Sequence, residues 1–99
     1  MKILIICAFG ASSNILKRKI AEELKSRNIN GSVSAYSVED LNDVINDKDI
    51  VLVAPQLRIS LPEIEKEVNG RIPIQLIDSV DYGTMNASNI LNKITAILN

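Results

Sequence analysis

Two stretches of the chain are apolar without a break, Ile3 to Ala8 and Ile50 to Ala54. Runs that are apolar on both faces belong to inner strands of a parallel sheet with helices packed on each side. Ser32 to Ser37 instead alternates small polar with apolar residues, which suits a half-buried edge strand. Ile72-Pro73-Ile74-Gln75-Leu76-Ile77 predicts a fourth strand, and Pro73, lacking an N–H, assigns it to the other edge. Between these runs the period becomes helical. Leu16, Ile20, Ala21 and Leu24 predict one inward face, with Ser12 or Ser13 as cap and Asn28 to Gly31 as stop. Ser37 with Asp40 forms a weak capping box for a short helix reaching about Asn46. Ser60 with Glu63 forms a clearer one, with Pro62 in the first turn and a register that can begin one turn earlier. Ile64 and Val68 point inward there, and Asn69-Gly70 stops the helix. Asp78 to Met85 reads as a loop, and a last helix from about Asn86 turns Ile90, Leu91, Ile94, Ile97 and Leu98 inward.

The resulting alternation, βαβαβαβα, predicts an α/β fold with a four-stranded parallel open sheet and helices on both faces, one three-layer domain over residues 1–99. With strands one and three inside, right-handed crossovers give the spatial order 2-1-3-4. The connections then leave strands one and three in opposite directions. The gap between their C-terminal ends is the topological switch point, where open sheets bind ligands. Cys7 is expected at one lip, Pro55 to Arg58 at the other, and Asp78 to Met85 next along the same edge.

Composition narrows the function. A formal charge of −1 and the absence of Trp leave no basic footprint for nucleic acid. With no histidine and one cysteine there is neither an internal disulfide, nor a Cys/His zinc cluster, nor a Cys-His or Ser-His dyad within the chain. No run approaches the roughly 20 apolar residues of a membrane helix, and Lys2 precedes too few for a signal peptide. The expectation is a cytoplasmic monomer with no cofactor, no metal and no membrane insertion.

The lone cysteine opens the stretch Cys7-Ala8-Phe9-Gly10-Ala11-Ser12-Ser13-Asn14, between the first strand and the first helix. Backbone amides of such a stretch and the unpaired amides of a helix's first turn converge on one point, and the helix dipole makes that point positive. A thiol in that field ionises more readily than a free one, and the thiolate is a good nucleophile. Gly10 lets the backbone approach an anion closely. The stretch reads as a site for phosphate on sulfur. A cysteine-loop phosphatase would need Cys, five residues, then Arg to clamp the transferring group; that position here is Ser13. Lys17 and Arg18, one turn on, read as solvated charges that steer anions.

Three motifs in order, Cys7-x-x-Gly10-x-Ser12-Ser13, Pro55-Gln56-x-Arg58 and Asp81-Tyr82-Gly83-x-Met85-Asn86, resemble the IIB component of the bacterial sugar phosphotransferase system (PTS), lactose/cellobiose/chitobiose family. The resemblance spans essentially the whole chain. It implies a flavodoxin-like half fold and a phosphoryl relay: a phosphohistidine on a IIA partner gives its phosphoryl group to Cys7. Cys7 passes it to a sugar, a β-linked disaccharide such as cellobiose, chitobiose or lactose, carried by the membrane component IIC, at the inner face of the membrane. It also implies that Ala8 to Asn14 cradle the phosphate, and it supplies the donor histidine this chain lacks.

Ala11, Asn14 and Ile59 depart from the residues usual in the family, Met, Ser and an aromatic, which bears on partner and sugar choice. Arg58 either points into solvent or reaches across the switch point to the phosphoryl group or an acidic partner. Tyr82 reads as a packing residue closing the cleft. Asp78 and Asp81 suit capping and loop hydrogen bonds better than magnesium, since carboxylates beside a phosphocysteine would repel it. The alternatives are a low-activity cysteine-dependent phosphatase and a non-catalytic flavodoxin-like regulatory module in which Cys7 is merely buried.

Overall fold

A computed structural model describes residues 1–8 and 10–99, with Gly10 and Ala11 described by backbone alone. Its strands are β1 (Lys2–Cys7), β2 (Ser32–Ser37), β3 (Ile50–Val53) and β4 (Ile74–Leu76). All neighbours are parallel, in the order β2-β1-β3-β4. The helices are α1 (Gly10–Ser26), α2 (Leu41–Val44), α3 (Leu61–Val68), α4 (Ser79–Gly83) and α5 (Ala87–Leu98). Single 3₁₀ segments, Val38–Asp40 and Pro55–Ser60, lead into α2 and α3.

Strand alternation sorts the interior into two layers. Ile3, Ile5, Cys7, Ile50, Leu52 and Ala54 face α1 and α5, meeting Leu16, Ile20, Leu24, Ile90, Leu91 and Ile94. Leu4, Ile6, Val51 and Val53 face α2 and α3, meeting Leu41, Ile45, Ile64 and Val68. Ile3 to Ile6 and Ile50 to Val53 are wholly buried, as the unbroken apolar runs require. The edge strands β2 and β4 are only partly buried.

Several boundaries differ from the sequence reading, each for a local reason. β4 is shorter than Ile72–Ile77, because Pro73 has no N–H to give; its carbonyl still accepts from Val51. α1 starts at Gly10, so Ser12 and Ser13 lie inside its first turns and do not cap it. Ala21 is exposed on α1, and Ile97 is 39% exposed on α5. Neither Ser37 nor Ser60 makes a capping bond; the Ser37 hydroxyl donates to Asp40 at 3.2 Å, and helical register before α3 begins at Pro55. The stop signals act through left-handed residues, Asn28 (φ 57°) after α1 and Asn69 (φ 53°) after α3, with Gly70 following at φ 73°.

The segment expected as a loop contains α4. Asp78 caps it, its carboxylate accepting from the amides of Val80 (2.9 Å) and Asp81 (3.2 Å). Asn86 caps α5 by accepting from the Asn89 amide at 3.0 Å.

Truncating a side chain buried between the layers leaves a cavity, so Leu52→Ala is expected to cost about 2–5 kcal/mol of unfolding free energy. Ile59 is 94% exposed, and Ile59→Ser should stay within about 0.5 kcal/mol. Urea denaturation of both variants checks the contrast.

Candidate functional site

β1 ends at Cys7, and its alternation turns that side chain onto the α1 face. The residue is 4% exposed. Ser13, wholly buried in α1, brings its Oγ to 2.9 Å from the Cys7 Sγ. On the other side the sulfur lies 3.8 Å from the Tyr36 carbonyl at the end of β2. A cavity of about 240 Å³ opens beside it, lined by Cys7, Ala8, Ser13, Asn14, Ala35, Tyr36, Ser37 and Asp40. That volume is several times the roughly 30 Å³ share of one water molecule, room enough for a phosphoryl group. Cys7 is therefore a core residue and also a wall of an open cavity.

The amides around this point come from the start of α1. Because α1 begins at Gly10, the expected cradle is mostly the first turn of a helix rather than a free loop. The amides of that turn have no intrahelical carbonyl to bond, and the dipole's positive end lies there. Ala8 and Asn14 are exposed at the cavity wall, and Ser12 is exposed nearby. Phe9, also assigned to the cradle, lies outside the described residues, as does the side chain of Ala11.

The cavity opens towards β2, whereas the sequence reading put the ligand between β1 and β3. The reason is steric. α1 carries the chain from β1 across to β2, and the small residues Ala8, Ala35 and Ser37 leave the space on that side. The 3₁₀ segment that contains Pro55, Gln56 and Arg58 follows β3 alongside. Gln56 and Arg58 are exposed, Pro55 is half-buried, and no ion pair among the described residues involves Arg58.

Tyr82 of α4 does reach the sulfur's surroundings. It is 6% exposed and packs in the same apolar layer as Cys7. Burial first, then negative charge on Cys7, hold its phenol above the ordinary tyrosine range, with the Ser12 hydrogen bond opposing. It stays a neutral phenol. Asp81 turns elsewhere. It is 5% exposed and accepts from the Asn89 amide nitrogen (2.8 and 2.9 Å) and from Lys93 Nζ (3.2 Å) on α5. Both carboxylates of this segment thus serve the fold, Asp78 as a cap and Asp81 as a brace. Among the described residues no cluster of three acidic or cysteine side chains is arranged to hold a metal, and no helix is long and apolar enough to cross a membrane.

Ser13 was expected in the phosphate cradle, but its contact with the sulfur and that of the Tyr36 carbonyl were not. Ser13 was legible only as one of several small hydroxyl residues, and Tyr36 contributes a main-chain carbonyl that no side-chain pattern announces.

Residues 2–93 match the family model described as PTS system, Lactose/Cellobiose specific IIB subunit. The chain belongs to the lactose/cellobiose-type IIB family of the phosphotransferase system. A PTS IIB domain is a phosphotransferase component that works through a cysteine intermediate and interacts with IIA and IIC components. The chain is similar to the cellobiose-specific phosphotransferase IIB component from Borrelia burgdorferi, with 37% identity and a TM-score of 0.80 over 98% of this chain and 91% of that one. It is 29% identical over 83 residues to the oligo-beta-mannoside-specific EIIB component of Bacillus subtilis (strain 168), covering 83% of this chain and 81% of that protein. The lactose-specific IIB domain from Streptococcus pneumoniae shares the fold at a TM-score of 0.87, with 20% identity over 100% of this chain and 98% of that one.

The Asn89 hydrogen bonds, and after them Lys93, hold the Asp81 carboxyl below its ordinary value of 3.8, against the effect of burial. A depressed pKa means the unfolded chain binds more protons in the acid range. Asp81 therefore stabilises the fold fully above its unfolded pKa, and that contribution is lost as pH falls through the lower folded value. Asp81→Asn should melt at a lower temperature than wild type near neutral pH. The gap should close at strongly acidic pH, which thermal melts across that range measure.

Proposed function

We propose that Cys7 is the cysteine that carries the phosphoryl group in this IIB domain. The observation behind this is that the family reacts through a cysteine and the sequence has one, standing at a helix start beside a cavity of phosphoryl size. In the first step the Cys7 thiolate attacks phosphorus of a phosphohistidine on the IIA partner. The S–P bond forms as the P–N bond breaks, and the imidazole nitrogen takes up a proton equivalent to the one the thiol released. In the second step a sugar hydroxyl bound by IIC attacks the same phosphorus. The S–P bond breaks, its electron pair returns to sulfur, and the hydroxyl proton goes to solvent.

Both steps are in-line displacements in which positioning and amide dipoles do most of the work. The amides of the first turn of α1 face the phosphoryl oxygens, with Asn14 adding a side-chain donor. Pro55, Gln56 and Arg58 form the rim that meets a partner, Tyr82 forms the inner wall, and Asp81 fixes α4 so that Tyr82 stays in place. Where a cysteine-loop phosphatase would have its arginine there is the buried Ser13, so the site suits holding a phosphocysteine rather than hydrolysing it. The sugar is a β-linked disaccharide. The oligo-beta-mannoside and cellobiose specificities of the two relatives above support that class.

Incubation with phosphoenolpyruvate, the general phosphotransfer proteins and a IIA partner should label the wild-type chain, and Cys7→Ser should abolish the label. A Cys7→Ser chain labelled to the wild-type level would overturn the assignment.

A further inference from the structure

Resting on the reading of Cys7 as phosphoryl carrier, we infer that the Ser13 hydroxyl is a catalytic hydrogen-bond donor to sulfur, stabilising the thiolate both as nucleophile and as leaving group. Among the described residues, two polar groups of opposite kind contact the sulfur. Tyr36 offers a main-chain carbonyl at 3.8 Å, which only accepts, so it can serve the protonated thiol and not the thiolate. Ser13 Oγ, at 2.9 Å, can accept or donate. Once the sulfur loses its proton, the 2.9 Å contact is a hydrogen bond only if the hydroxyl turns its proton towards sulfur.

Burial makes this turn consequential. Ser13 is wholly buried and Cys7 is 4% exposed, so the bond lies in a low-dielectric setting that strengthens it electrostatically. A donor to the charged form favours that form, and a carbonyl facing the sulfur disfavours it. The two neighbours thus act in opposite directions on one proton, and Ser13 is the one that favours the thiolate. Attack on phosphohistidine starts from the thiolate, and transfer to the sugar regenerates it. One hydroxyl therefore serves both half-reactions.

The test is the pH profile of Cys7 alkylation by iodoacetamide, measured on the full chain without partners. A hydrogen bond to a charged group is strong enough that Ser13→Ala should move the profile's midpoint upward by roughly one pH unit. Alanine favours helix over serine, so the variant keeps α1. Ser13→Thr, which retains the hydroxyl, should return the midpoint towards wild type. Phosphoryl acceptance from IIA should fall about tenfold in Ser13→Ala below the midpoint and recover as pH rises above it. Superimposable alkylation profiles for wild type and Ser13→Ala, or a transfer defect of the same size at every pH, would overturn the inference. The alkylation arm needs no phosphoryl donor, so it still reports on Ser13 if Cys7→Ser labelling contradicts the relay itself.

Discussion

Four consecutive side chains of β1, Ile3 to Ile6, are fully withdrawn from solvent, alternately on opposite faces of the sheet. That two-sided burial is the constraint on which the site depends. A strand packed on both faces cannot slip by one residue without exchanging its layers, so the residue that ends it has a fixed facing. Here that residue is Cys7. Its register against Ser37 of β2 fixes its height, and alternation fixes it on the α1 side.

From that placement the chemistry follows by adjacency. α1 packs in the same layer as Cys7, so its first turns bring the Ser13 hydroxyl to the sulfur. The small residues Ala8, Ala35 and Ser37 leave the cavity on the open side. Tyr82, carried by α4 and braced through Asp81 to α5, packs in the same apolar layer as Cys7. The buried sulfur thus has a hydroxyl on one side and a main-chain carbonyl on the other.

Much of this was legible in the chain. Uninterrupted apolar runs marked β1 and β3 as inner strands, the Ser/apolar alternation marked β2 as an edge, and Pro73 marked β4 as the other edge. From these the strand order follows without side-chain detail. The places where sequence reading failed are those decided by tertiary competition. α1 begins at Gly10, inside what reads as a flexible stretch, because a helix continued over Ser12 and Ser13 buries Ser13 against sulfur. Ser37 and Asp40 bond each other rather than the backbone, so a capping box in sequence was not one in space. Asp81 was expected to make loop hydrogen bonds, but its partners, Asn89 and Lys93 of α5, which claim both its oxygens, were not foreseen. The direction in which the cavity opens depends on which side small residues cluster, and that emerges only once β2 is registered against β1.

The central claim is that phosphorus bonds to one particular sulfur. Phosphorus–proton correlation spectroscopy on the chain phosphorylated through its IIA partner tests it directly. The account predicts a protein-bound phosphorus resonance coupled to the β protons of Cys7. Coupling to the β protons of a serine such as Ser12 or Ser13, with none to Cys7, would contradict it.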